Sequence, residues 1–339
     1  AELLSKSAEL YANGDAGCKP NARTFGGAIR AATRSGRGTV EAAARAEALL
    51  RLLDRLHAEE GGDDDGEDDL MPDAILFTTV MNAWADVRKV KKPTTSGGGV
   101  EGEEERGPLP AERAEALLRR MDHLYRTGVA DTKPDAVAYC TVIKAWAAST
   151  PSASPSGTPN LGEEEEDKEE ESGATATVAA PPIDPAERAE SLLRELEGRY
   201  AETSDPDFKP DAVAYTSVIR AWTASARDAA AANSRVSAGG TERAKNPSTD
   251  AAERAESLLL NMEDRYRTTG DVDVKPDAIL YGSVMDAWAE TRSPGCSERA
   301  AAILRKMTKG YEEGGDDDVK PDAVAYTSLL KALANDAAA

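Results

Sequence analysis

Cysteine is scarce in this chain: Cys18, Cys140 and Cys296 are the only three, and no two are closely spaced. That excludes a disulfide framework and a cysteine-based zinc module, and it suits a reducing compartment. Aromatic residues are few as well, with 3 Phe and 4 Trp among 339 residues. A large β-sandwich or barrel, which leans on aromatic and β-branched residues, is disfavoured. No apolar run approaches the roughly 18 residues that span a bilayer, so no membrane partner is expected. Positive charge is in deficit, 41 Lys and Arg against 62 Asp and Glu, for a net charge of −21. Taken whole, that is the wrong sign for a nucleic-acid binder.

The acidity is concentrated. Residues 59–69 carry a net −8, residues 163–171 a net −7 and residues 312–318 a net −5, so the remainder is close to neutral. Such runs read as solvated loops or interaction tails. Ala, Leu, Glu and Arg dominate elsewhere, a composition that favours helix.

Internal repetition is the strongest signal present. One phrase occurs six times: KPNARTFGGAIRAA (19–32), MPDAILFTTVMNAW (71–84), KPDAVAYCTVIKAW (133–146), KPDAVAYTSVIRAW (209–222), KPDAILYGSVMDAW (275–288) and KPDAVAYTSLLKAL (320–333). A second phrase lies between successive copies, at 44–57, 111–125, 186–200, 252–266 and 297–311, of the type AERAESLLxxMxxRY. In the first phrase Tyr215, Val218, Ile219 and Trp222 fall at i, i+3, i+4 and i+7, the stripe of an amphipathic helix. Phe77/Val80/Met81/Trp84, Tyr139/Val142/Ile143/Trp146 and Tyr281/Val284/Met285/Trp288 repeat it, and all four tryptophans share this register. The second phrase has its own stripe, as in Ala255, Leu258, Leu259, Met262 and Tyr266. A lone helix pair has too little core, so the pairs must bury these faces against one another.

Proline at 20, 72, 134, 210, 276 and 321 precedes each first helix and bars the preceding residue from the α region. The Asp or Asn that follows is predicted to cap the helix. The expected organisation is an all-α, right-handed solenoid of antiparallel pairs: a partial repeat at 1–21, five repeats at 22–73, 74–135, 136–211, 212–277 and 278–322, and a partial repeat at 323–339. Proline spacings of 52, 62, 76, 66 and 45 place the excess length in insertions at about 89–109, 150–183 and 228–248, whose composition predicts disorder. The first residue is Ala, already in a helical pattern, and the last pattern is a helix cut short, which reads as a piece of a longer array.

The phrase K-P-D-x-V-x-Y-x-x-x-I-x-A-W followed by E-R-A-E-x-L-L-x-x-M resembles the pentatricopeptide repeat family, over nearly the whole chain outside the insertions. The tetratricopeptide pattern W-x-x-L-G-x-x-Y is absent. The resemblance implies binding of single-stranded RNA, an organellar transcript in mitochondria or plastids, and a role in RNA processing, stability or translation. It implies no cofactor and no small-molecule substrate. In the family each base is read by the residue after the first-helix aromatic and by the Asp or Asn after the Pro that closes the repeat. Here the implied pairs are Gly26/Asp73, Thr78/Asp135, Cys140/Asp211, Thr216/Asp277 and Gly282/Asp322, with Thr327 opening an incomplete sixth. Thr with Asp implies guanine. Ile75, Val137, Val213, Ile279 and Val324, two residues before each aromatic, are the implied wedges between bases.

The chain departs from the family where a Lys near the end of the first helix contacts phosphate: Arg34, Asp86, Ala148, Ala224 and Glu290 stand there. Arg30, Lys144, Arg220 and Lys331 lie four residues upstream. The alternative reading is a protein-interaction scaffold whose acidic loops meet basic protein partners. No enzyme is expected. The Asp clusters lie in Gly-rich loops without regular spacing, His57 and His123 lie on second helices, and neither a phosphate loop nor an H-x-E…C-x-x-C motif occurs.

Overall fold

A Pro-Asp or Pro-Asn step opens every first helix, and the reason is visible at its N-terminus. The first turn of a helix leaves backbone N–H groups without intrahelical partners. Asn21 Oδ1 accepts from the Thr24 N–H at 2.9 Å, and Asp73, Asp135, Asp211, Asp277 and Asp322 do the same for the residue three further on, at 2.7, 2.8, 2.9, 2.8 and 2.9 Å. Each such cap is worth about 1 kcal/mol. The predicted caps are therefore present.

The computed structural model describes residues 21–60, 71–87, 109–128, 132–149, 184–236 and 246–337. Among these the chain is all-α, with eleven α-helices and no strand. First-phrase helices are α1 (Ala22–Ser35), α3 (Ala74–Ala85), α5 (Ala136–Ala148), α7 (Ala212–Val236), α9 (Ala278–Thr291) and α11 (Ala323–Asp336). Second-phrase helices are α2 (Val40–Glu60), α4 (Pro110–Arg126), α6 (Pro185–Thr203), α8 (Pro247–Thr269) and α10 (Cys296–Glu312). Short 3-10 turns at Pro206–Phe208, Val272–Val274 and Asp317–Val319 follow α6, α8 and α10. None of the described helices is long and apolar enough to cross a membrane.

Packing follows the sequence order. Each first helix packs on the next first helix, α1 on α3 and so on to α11, and each second helix packs between the first helix before it and the one after. The predicted stripes form the core: Phe77, Val80 and Met81, Tyr139, Val142 and Ile143, and Val218, Ile219, Val284 and Met285 are all fully buried. Ala255, Leu258, Leu259 and Met262 are buried too, whereas Tyr266 is half-buried. On α11 the same register is open. Leu330 is 67% exposed where its counterparts Ile29, Met81, Ile143, Ile219 and Met285 are at 0%, because no second helix covers it among the described residues.

One boundary differs from expectation. The insertion expected from about 228 begins later, because α7 runs on to Val236. Its extension is alanine-rich, and Ala226 and Ala230, four apart on one face, are buried. High helix propensity and a packed face together carry the helix onward. Pro247, placed at the end of the same insertion, is the first residue of α8. Residues 237–245, the insertion at 150–183 and, save Leu109, the one at 89–109 lie outside the described residues.

Candidate nucleic-acid interface

The first-helix aromatics from α1 to α9 are buried in the core, whereas Tyr326 on α11 is exposed; the residue after each sits about 100° round the helix, at the edge of the packed face. Thr78 and Thr216 are half-buried there and Thr327 is exposed, while Cys140, Gly26 and Gly282 are buried. The three hydroxyls donate to carbonyls one turn back: Thr78 to Ala74 at 2.8 Å, Thr216 to Ala212 at 2.6 Å and Thr327 to Ala323 at 2.6 Å. With the proton committed, each hydroxyl oxygen presents only acceptor lone pairs outward. The capping aspartates are alike in this respect. Oδ1 is used by the helix, and Oδ2 of Asp73, Asp135, Asp211, Asp277 and Asp322 makes no hydrogen bond among the described residues.

One of the implied pairs is in contact and a second shares a groove. Cys140 Sγ donates to Asp211 Oδ1 at 3.5 Å, and burial, followed by the Asp211 carboxylate, pushes the thiol up to about 12. Cys140 is thus an un-ionised thiol, and the pair is closed on itself. Gly282 and Asp322 line one open groove of about 790 Å³ together with Ile279, Val324 and Thr327. A Cβ at Gly282 would stand 3.9 Å from Val324 Cγ1, so a side chain would fit there. At Gly26, by contrast, a Cβ would come within 3.2 Å of Leu76 Cδ2 and 3.5 Å of the Arg30 guanidinium, which covers that position in place of a side chain. No hydrogen bond joins Thr78 to Asp135 or Thr216 to Asp277.

The five implied wedge residues form the clearest pattern. Ile75, Val137, Val213, Ile279 and Val324 are 67, 60, 45, 65 and 61% exposed, on helices whose other large apolar side chains are buried from α3 to α9. Single exposed apolar residues are ordinary, but the same register left bare on five successive helices is not.

Charge along this face is uneven. Of the places where the family has lysine, Arg34 is exposed and basic, Asp86 is tied to Arg37 at 3.2 Å, and Ala148 and Ala224 are neutral. Glu290 is held by Lys331 and Arg227, each at 2.7 Å. Burial works against its charge, but the hydrogen bonds and charges of Lys331 and Arg227 outweigh it and hold the carboxyl below its ordinary value. Arg30, Lys144 and Arg220 are exposed and make no ion pair among the described residues.

Two recurrent arrangements escaped the sequence reading. In the first, the Glu that ends A-E-R-A-E in one repeat receives the indole N–H of the next repeat's Trp: Glu47 from Trp84 at 3.0 Å, Glu115 from Trp146 at 3.0 Å, Glu190 from Trp222 at 2.9 Å and Glu256 from Trp288 at 3.0 Å. The Arg of the next A-E-R reaches back to the same carboxylate, Arg113 to Glu47 at 3.3 Å, Arg188 to Glu115 at 2.9 Å, Arg254 to Glu190 at 3.5 Å and Arg299 to Glu256 at 3.6 Å. Every node joins three helices of two repeats. In the second arrangement, the Lys of K-P-D grips two aspartates of the following connection: Lys133 holds Asp205 and Asp207 at 2.5 and 2.6 Å, Lys209 holds Asp271 and Asp273 at 2.8 and 2.7 Å, and Lys275 holds Asp316 and Asp318, both at 2.7 Å. Three acidic connections thus have regularly spaced aspartates, against the irregular spacing expected, while Asp207, Asp273 and Asp318 remain more than half exposed. Their aspartates stand at a fixed distance before the next K-P-D, on turns whose Phe208, Val274 and Val319 are buried. The letters involved recur in most copies, but Met71 replaces the Lys in one repeat and Val129 stands where an aspartate would precede Lys133.

His57 and His123 lie on α2 and α4, half-buried and exposed respectively. Among the described residues no group of three or more His, Cys, Asp or Glu side chains could hold a metal ion. No protein-family model matches the chain, and no curated protein matches it.

Proposed function

We propose that the chain is a right-handed α-solenoid of the pentatricopeptide class that binds single-stranded RNA along its first-helix face, acting on an organellar transcript in processing, stability or translation. The observation that supports this reading is the bare register Ile75, Val137, Val213, Ile279 and Val324, set beside polar positions that are partly unsatisfied. Unstacked bases of a single strand offer apolar faces to such side chains and hydrogen-bonding edges to the polar ones. Thr78 and Thr216 offer an acceptor oxygen, and so do the free oxygens of Asp135 and Asp277. Two acceptors suit guanine, the base whose Watson–Crick edge carries adjacent N1–H and N2–H donors. The effect on RNA would be steric: a bound array shields the strand or keeps it open.

The test is fluorescence anisotropy with short single-stranded RNAs at about 50 and 150 mM salt, comparing a pool with G at alternate positions against an all-pyrimidine pool. Tighter binding to the G pool, reduced by Thr78→Ala and Thr216→Ala, supports the reading. Absence of binding at the lower salt rejects it in favour of a protein-interaction scaffold. Asp86 and Glu290 at the lysine places are what favour that second reading, since neither offers a positive charge to phosphate.

A further inference from the structure

Within the RNA-binding reading, the family's phosphate-contacting places are mostly neutral or acidic here, so the backbone of a bound strand needs another source of positive charge. One register supplies it. Arg30, Lys144 and Arg220 each stand five residues after the aromatic of α1, α5 and α7, and so one helical turn beyond the base-facing positions Gly26, Cys140 and Thr216. The Arg30 guanidinium lies within 3.5 Å of where a Gly26 Cβ would be, which places this register directly against the base-facing one. Arg220 lines the same groove as Ile279, Gly282, Val324 and Thr327. All three cations are exposed and without an ion pair among the described residues, whereas Arg113, Arg188, Arg254 and Arg299 on the second helices are all engaged.

On α9 the same register is Asp286. Asp286 and Glu290, one turn apart, bind Arg227 at 3.3 and 2.7 Å and Lys331 at 3.2 and 2.7 Å, so both cations of that part of the groove are neutralised. We infer that Arg30, Lys144 and Arg220 form a phosphate track displaced by one helical turn from the family's position, and that the Asp286–Glu290 pair interrupts it at α9. This inference rests on the RNA-binding reading. A strand is then gripped electrostatically at α1, α5 and α7, passes the neutral Asn82 that holds this place on α3, and at α9 and α11 is held by base contacts alone.

The experiment is the salt dependence of RNA affinity for the whole chain. Each phosphate contact to a single strand contributes about 0.7 to the slope of log K against log salt, so three contacts weaken binding about tenfold between 50 and 150 mM. Lys144→Ala/Arg220→Ala should leave one contact and a loss of only about twofold over that range. A control of equal charge change on the second helices, Arg45→Ala/Arg267→Ala, should keep the wild-type slope. Asp286→Asn/Glu290→Gln frees Arg227 and Lys331 and should steepen the slope toward five contacts. Circular dichroism confirms that each variant is folded, and the two cation variants alter only exposed side chains. If the wild type binds RNA and the groove and control variants change the slope equally, or neither changes it, the track is overturned while RNA binding stands. An unchanged slope in the Asp286/Glu290 variant overturns the interruption at α9. If the wild type binds no RNA at 50 mM, the RNA reading and the track fall together.

Discussion

Trp146 donates its indole N–H to Glu115 at 3.0 Å, and Glu115 lies on the second helix of the preceding repeat. A buried tryptophan needs a partner for its N–H, and here the partner is a carboxylate that Arg188 and Arg119 also bind. One side chain thus ties the preceding second helix to both helices of the next pair. The same relation at Trp84, Trp222 and Trp288 makes it the recurring polar joint of the stack.

Removing that joint should be costly. Glu115 is buried, and truncation leaves a buried indole N–H and the Arg188 guanidinium without their acceptor, while Arg119 keeps Glu195. Glu115→Ala is expected to destabilise the protein by about 3 kcal/mol or more in urea unfolding, and Trp146→Phe by less, because the Arg188 pair survives. A loss under about 1 kcal/mol for Glu115→Ala would mean the joint is a surface pair of little energetic weight.

Ser204 closes α6 in the left-handed region at φ 53°, the place that Gly270 takes after α8 at φ 68°. A Cβ is disfavoured in that conformation by roughly 1 kcal/mol. Ser204→Gly should therefore raise stability by about 0.5–1 kcal/mol, read as a higher thermal midpoint. No gain would show that this end of the helix already frays in solution.

Asp135 has two separable tasks, a cap through Oδ1 and an outward oxygen, Oδ2. Asp135→Asn retains a capping acceptor and should change stability by less than about 0.5 kcal/mol, while weakening preference for the G-containing pool. Asp135→Ala should lose the cap, about 1 kcal/mol, as well. Equal base preference in wild type and Asp135→Asn would show that the residue is a cap and nothing more.

Acid should loosen the array. At Asp122, Glu195 and Glu290 burial raises the carboxyl, but arginine and lysine partners outweigh it and leave the value depressed in the folded chain. A depressed folded value gives stability that is complete above the unfolded value, near pH 4, and is lost as pH falls through the folded value. Chemical denaturation should give a flat stability from about pH 7 to 5 and a decline below about pH 4. A maximum at pH 4 would contradict the depressed values.

The repeat, its helix pairs, its caps and its buried stripes were legible in the amino-acid order alone, because each depends on local spacing: a Pro-Asp step, an aromatic and apolar residues at i+3, i+4 and i+7. Exposure of Ile75, Val137, Val213, Ile279 and Val324 was expected from the family resemblance, but only packing could leave those five side chains bare. The partners of Glu115 and Lys133 were not legible, since Trp146, Arg188, Asp205 and Asp207 lie 31 to 74 residues away across connections of unequal length. Nor could composition show which cations remain available. Arg220 and Lys331 occupy the same place in the repeat, yet Lys331 is bound by Asp286 and Glu290 and Arg220 is not. Local sequence determined the helices and which face each one buries. Tertiary packing decided which charges cancel, because that depends on neighbours brought together across repeats.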